Sequence, residues 1–198
     1  MGETKNRARE IEKLKEQNVV WRAGLTKEEL TILGLAERLD ERLVRGRSFS
    51  EGCYHLAFFM TRYLELQDIK IVPVVGWVTD GTWKGVTSHA WIEYKGEITD
   101  VSLTYTTHPK EQPTGALIVH GRILRKGKAS YTYYKNDDPI ALQKLEWMRT
   151  VPEFSGVLGH KENEHRFMLE IASSKSVKEY LSNAPVGGRF DDISRLVK

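Results

Sequence analysis

Hydrophobic and polar positions follow three regimes along this chain: helical, then extended, then helical again. Thr26-Lys27-Glu28-Glu29 has the spacing of a capping box, hydroxyl and carboxylate three residues apart. Leu30, Leu33, Ala36, Leu39 and Leu43 follow at three- and four-residue steps, which predicts an amphipathic helix ending near Arg45, with Gly46 as its stop. Ser48 and Ser50 offer caps for a second helix over about 52–66. Its apolar stripe is Cys53, Leu56 with Ala57, Met60 and Leu64, so Cys53 falls on the inward face of the first turn.

The extended regime begins at Ile69. Residues 69–79 are apolar on both faces, as in a central strand. Val86–Tyr94 and Ile98–Leu103 read as two strands joined at Lys95-Gly96, and Ala116–Leu124 with Ser130–Tyr134 as a further hairpin turning at Lys126–Lys128. Helical patterning returns over about 138–149, 162–172 and 176–181. Residues 3–17 are charged and helix-prone, an exposed helix or frayed arm. Helices, then strands, then helices predict an α+β fold. The N-terminal helices would pack on an antiparallel sheet, in one domain over 1–198. Its core would span about 26–135, with 136–198 a helical C-terminal extension.

Composition narrows the functions. Charged residues make up 29% of the 198, with both signs interleaved to a net charge of +3, too mild a balance to imply nucleic acid. One cysteine excludes an intrachain disulfide. It also makes a poor metal site without histidines, and no metal or other cofactor is expected. No run reaches the roughly 18 apolar residues of a membrane span. The first ten residues lack the apolar stretch of a signal peptide, so a cytoplasmic location is expected.

The segment from Ser88 to Ser102 carries candidate chemistry. With Lys95-Gly96 as a two-residue loop, Tyr94 faces Glu97, Trp91 faces Asp100 and His89 faces Ser102. Side chains alternate, so His89, Trp91, Asp100 and Ser102 share one face. His89 and Asp100 become diagonal neighbours, about 7–8 Å apart at Cα. A register slip of one residue would put them on opposite faces. Asp100 can then accept the imidazole N–H, fix its tautomer and leave the other ring nitrogen for Cys53. A helix N-terminus favours a thiolate at Cys53, and the residue's own N–H is a natural oxyanion donor.

Three stretches, Glu51-Gly52-Cys53-Tyr54-His55-Leu56-Ala57, His89-Ala90-Trp91-Ile92-Glu93 and Asp100-Val101-Ser102, resemble the transglutaminase-like superfamily of papain-like cysteine enzymes. The resemblance covers residues 46–103. It implies a papain-like core, Cys53 as nucleophile, His89 as base and Asp100 as the group orienting the histidine. It also implies acyl transfer through a thioester on a peptide, protein or small amide or ester. Water would resolve the thioester in a thiol hydrolase; an amine would do so in a transglutaminase or N-acyltransferase. A non-catalytic binding module on the same fold is the alternative class. Gln17, Trp77 and Trp91 are candidates for the second oxyanion donor or for substrate contact.

Taken singly, these residues have plainer readings. A lone buried cysteine usually packs as a small hydrophobe, and Trp91 is more often core than oxyanion partner. His55, two residues past Cys53, points toward the other side of its helix and reads as structural or exposed. His108 falls in a loop before Pro109, and His120 ends an apolar run with no evident partner. His160 and His165 flank Glu162 and Glu164, but at no known metal-ligand spacing. Tyr131, Tyr133 and Tyr134 in a basic hairpin are read as packing rather than a nucleic-acid surface.

Overall fold

The computed structural model describes residues 16–198 apart from Lys175, and the expectation for 3–15 lies outside these. The fold is mixed helix and antiparallel sheet, of the α+β kind. Helix α1 (16–23) leads into α2 (Lys27–Leu39). The capping box forms as read: Glu29 N–H donates to Thr26 Oγ1 at 3.3 Å, and Thr26 N–H donates to Glu29 Oε2 at 2.8 Å. The helical path continues past α2 as a π-helical turn, Asp40–Val44. The wider turn places Asp40, 1% exposed, against the guanidinium groups of Arg45 and Arg125 and the hydroxyl of Thr104. A charge this buried persists only when fully paired.

Helix α3 (Cys53–Glu65) packs on β1 (Val72–Thr79) and β2 (Thr87–Tyr94). Leu56, Ala57, Phe58, Met60 and Leu64 join Val75, Ala90 and Ile92 in the main core. Strand β3 (Glu97–Thr99) completes the β2 hairpin, and Lys95 and Gly96 both take positive φ, 53° and 82°, as a two-residue turn of this hand requires. The register is the one read from the sequence: Tyr94 pairs with Glu97 and Ile92 with Thr99.

Two features differ from expectation. The strand expected to reach Leu103 stops at Thr99, and Trp91 does not pair with Asp100. Ser102 N–H and Oγ–H both donate to Asp100 Oδ1 at 2.8 Å, a local turn that bends the chain out of the ladder. Asp100 pairs instead with Ile118. The expected long strand 116–124 is itself a hairpin, β4 (Leu117–Val119) and β5 (Arg122–Arg125). Its turn is His120-Gly121, at φ 50° and 70°. His120 stands where Asn is usual, which hid the turn; its ring N–H donates to the Glu29 carbonyl at 3.0 Å.

Released from that hairpin, β6 (Thr132–Lys135) pairs with the free edge of β1, giving the order β3-β2-β1-β6. Gly76 lets β1 fit between β2 and β6, since a Cβ there would lie 2.4 Å from the Tyr134 carbonyl and 2.6 Å from the Trp91 ring. Residues beyond β6 form α4 (Pro139–Arg149), α5 (Ser155–Ser173), α6 (Val177–Ser182) and α7 (Phe190–Val197). A second apolar cluster joins α4 and α5 to the sheet through Trp77, Val86, Leu145, Met148 and Leu158. No described helix is long and apolar enough to cross a membrane.

Candidate active site

Cys53 is the first residue of α3 and is half-buried. The N–H groups of a helix's first turn have no intrahelical acceptor, and the first bond of α3 runs from Leu56 N–H to the Gly52 carbonyl at 2.9 Å. The N–H of Cys53 is therefore available beside its own thiol. A Cβ on Gly52 would fall 2.0 Å from the Phe49 ring, so a larger residue there requires that ring to move.

His89 and Asp100 meet, although Asp100 lies just beyond the β2–β3 ladder. His89 Nε2–H donates to Asp100 Oδ2 at 2.7 Å, with both side chains buried. Asp100 Oδ2 also accepts the hydroxyl of Tyr133 at 2.8 Å, while Oδ1 takes the two bonds from Ser102. Burial opposes the charge on this carboxylate, but the His89 imidazolium and the Ser102 donors hold its pKa below the usual value. Burial likewise opposes the imidazolium, yet the charge of Asp100, and then that of Cys53, push His89 up to about 10. His89 Nε2 is committed to Asp100, which leaves Nδ1 for the thiol.

Cys53 and His89 line one cavity of about 590 Å3, within the usual range of small-molecule pockets, about 300–1,000 Å3. Trp77, of the three further candidates, is in its wall; its Nε1–H is buried and has no acceptor among the described residues. Trp91 is not in the wall. It packs against Tyr133, and its Nε1–H donates to Glu93 Oε1 at 3.2 Å. Gln17 is exposed on α1 and is also absent from the wall. Of the three candidates, Trp77 alone lines the cavity with Cys53 and His89.

Two groups went unread in the sequence. Tyr133 is one: it reaches Asp100 because β6 pairs with β1, a long-range choice that strand composition does not reveal. The other is a second polar chain. Tyr54 O–H donates to Ser88 Oγ, Ser88 donates to His165 Nδ1, and His165 Nε2–H donates to Asn136 Oδ1 at 2.8 Å. His165 stacks on Trp77 with ring centroids 3.9 Å apart, and burial lowers its pKa to about 4. His165 is buried and His160 exposed, and they belong to no metal-binding cluster among the described residues. His55 is mostly buried and its Nε2–H donates to the Gly188 carbonyl, a structural bond. No family model, no curated protein and no solved structure matches the chain.

Proposed function

We propose that the chain is a cysteine-dependent acyl-transfer enzyme, a thiol hydrolase of transglutaminase-like type built on a papain-like core. One observation carries the reading: a half-buried cysteine at a helix N-terminus shares a cavity with a histidine whose far nitrogen is bound to a buried carboxylate at 2.7 Å. Nucleophile, base and orienting group stand in the order that covalent catalysis needs.

In this mechanism the Cys53 thiolate attacks the carbonyl carbon of an amide or ester. The oxyanion that forms takes the Cys53 N–H. His89 gives its Nδ1 proton to the departing amine or alcohol as that bond breaks, leaving a thioester on Sγ. Water then attacks the thioester and passes a proton back to Nδ1, and the thiolate leaves with the imidazolium restored. Asp100 stays ionised throughout and holds the ring by Nε2.

The test is alkylation of Cys53 by iodoacetamide near neutral pH, followed by intact mass. Wild type should react at least about tenfold faster than free cysteine, and His89→Ala should bring it back to the free-thiol rate. Equal rates for wild type and free cysteine would remove the reading. Incubating wild type and Cys53→Ala with cell extract should leave an acyl adduct on wild type alone, and its added mass reports the donor.

A further inference from the structure

The cavity continues past Cys53 and His89 into the second apolar cluster. Its far wall is Trp77 from β1, Trp83 from the β1–β2 loop, Val86, Met148 from α4, Phe154, and Leu158 from α5. We infer that this end is a recognition pocket for an uncharged aromatic group carried beside the reacting carbonyl, an inference that rests on the Cys53 chemistry proposed above.

Two observations carry it. The wall is preformed. The Trp83 ring is folded over Gly85, where a Cβ would fall 2.1 Å from it, and meets Phe154 edge-on at 5.7 Å between centroids. The buried N–H of Val86 donates to Met148 Sδ at 3.5 Å, which pins the methionine as part of the floor. Edge and face surfaces of this kind suit an aromatic ring, and the thioether adds favourable contact.

The charges lining the cavity oppose anions. Glu51, Glu111, Glu162 and Glu164 stand in the wall against one lysine, Lys161. Lys161 pairs with Glu164 at 3.0 Å, and Arg149 pairs with Glu162 at 2.6 Å. Glu51 lies 3.8 Å from His108 Nε2, while Glu111 is in no ion pair among the described residues and leaves the mouth negative, so an acyl group bearing a carboxylate or phosphate is disfavoured there.

Two reagents with the same reactive carbon test the pocket: iodoacetamide and N-benzyl-iodoacetamide, each referenced to its rate with free cysteine. Wild type should favour the benzyl reagent by about tenfold or more, the ratio expected for burying one ring. Trp83→Ala and Phe154→Ala, in separate segments, should each lower that ratio to within about threefold of unity. N-acetyl-phenylalaninamide should also slow iodoacetamide labelling of wild type, a readout that needs no variant. Fast iodoacetamide labelling with no benzyl preference and no protection would overturn the pocket and leave the nucleophile standing. Iodoacetamide labelling at the free-thiol rate would remove the nucleophile, and the pocket's assignment with it.

Discussion

Tyr54 and Ser88 are hydrogen-bonded to each other, one residue past Cys53 on α3 and one residue before His89 on β2. The bond ties the two elements that carry Cys53 and His89. Ser88 in turn donates to His165 Nδ1, and His165 is held by Asn136. This order of donors requires a neutral imidazole at His165, and burial supplies it by lowering the pKa to about 4. Helix α5, far along the chain, thus helps set the distance between Cys53 and His89.

Loosening that tie should slow the reaction without abolishing it. Tyr54→Phe and His165→Ala are each expected to lower the Cys53 alkylation rate about tenfold, since small misplacements of reacting groups are costly. The double variant should lose little beyond the worse single, because both act through Ser88. Full additivity in the measured rates would mean that the two residues act separately.

Asp100 is expected to matter more. Asp100→Asn should lower turnover on any identified substrate by about 10^3-fold or more, through loss of both ring orientation and imidazolium stabilisation. Its charge is the foremost cause raising His89, whose value is about 10. The alkaline limb of the wild-type pH–rate profile should therefore fall near pH 10, and in Asp100→Asn it should move to lower pH. An unmoved limb would assign it to another group.

The same pair should mark stability against pH. His89 has its pKa raised on folding, from the ordinary 6.5 to about 10. Its contribution is complete below pH about 6.5 and is lost as pH rises through about 10. The pKa of Asp100 is lowered, so its contribution is present above its ordinary value and lost as pH falls through the folded one. Denaturant midpoints of wild type and His89→Gln should converge between pH 6.5 and 10. A constant gap across that range would contradict the assignment.

Asp40 carries a stability test remote from the chemistry. Arg125 donates to both its oxygens, Arg45 Nε donates at 2.9 Å and Thr104 Oγ1 at 2.6 Å. Asp40→Asn should destabilise the fold by about 2 kcal/mol; solvent around the half-exposed arginines reduces the cost below that of a fully buried pair. Chemical denaturation reads the change, and the iodoacetamide rate of Cys53 should stay near wild type below the transition.

Local signals explain most of what was legible in the sequence. The capping box at Thr26, the stripe beginning at Cys53 and the two-residue turn at Lys95-Gly96 depend on neighbours a few residues away, and all three form as read. The Lys95-Gly96 turn fixed the register as far as Thr99 and with it the face that His89 presents, and the turn at Ser102 then held Asp100 against that face. The end of β3 was harder to see, since Asp100 bends the chain by accepting the backbone and side chain of Ser102. The His120-Gly121 turn used an unusual residue at positive φ.

What the sequence determined alone was therefore the cysteine helix and the hairpin that carries His89 toward Asp100. Tertiary structure decided what lies around them. The pairing of β6 with β1, which brings Tyr133 to Asp100, and the docking of α4 and α5 over Trp77 and Val86 are choices among distant partners. Their stability comes from apolar burial and paired polar groups contributed by segments widely separated along the chain. Burial is non-directional and leaves no short-range periodicity to read, so the wall of the cavity became visible only once the chain was folded.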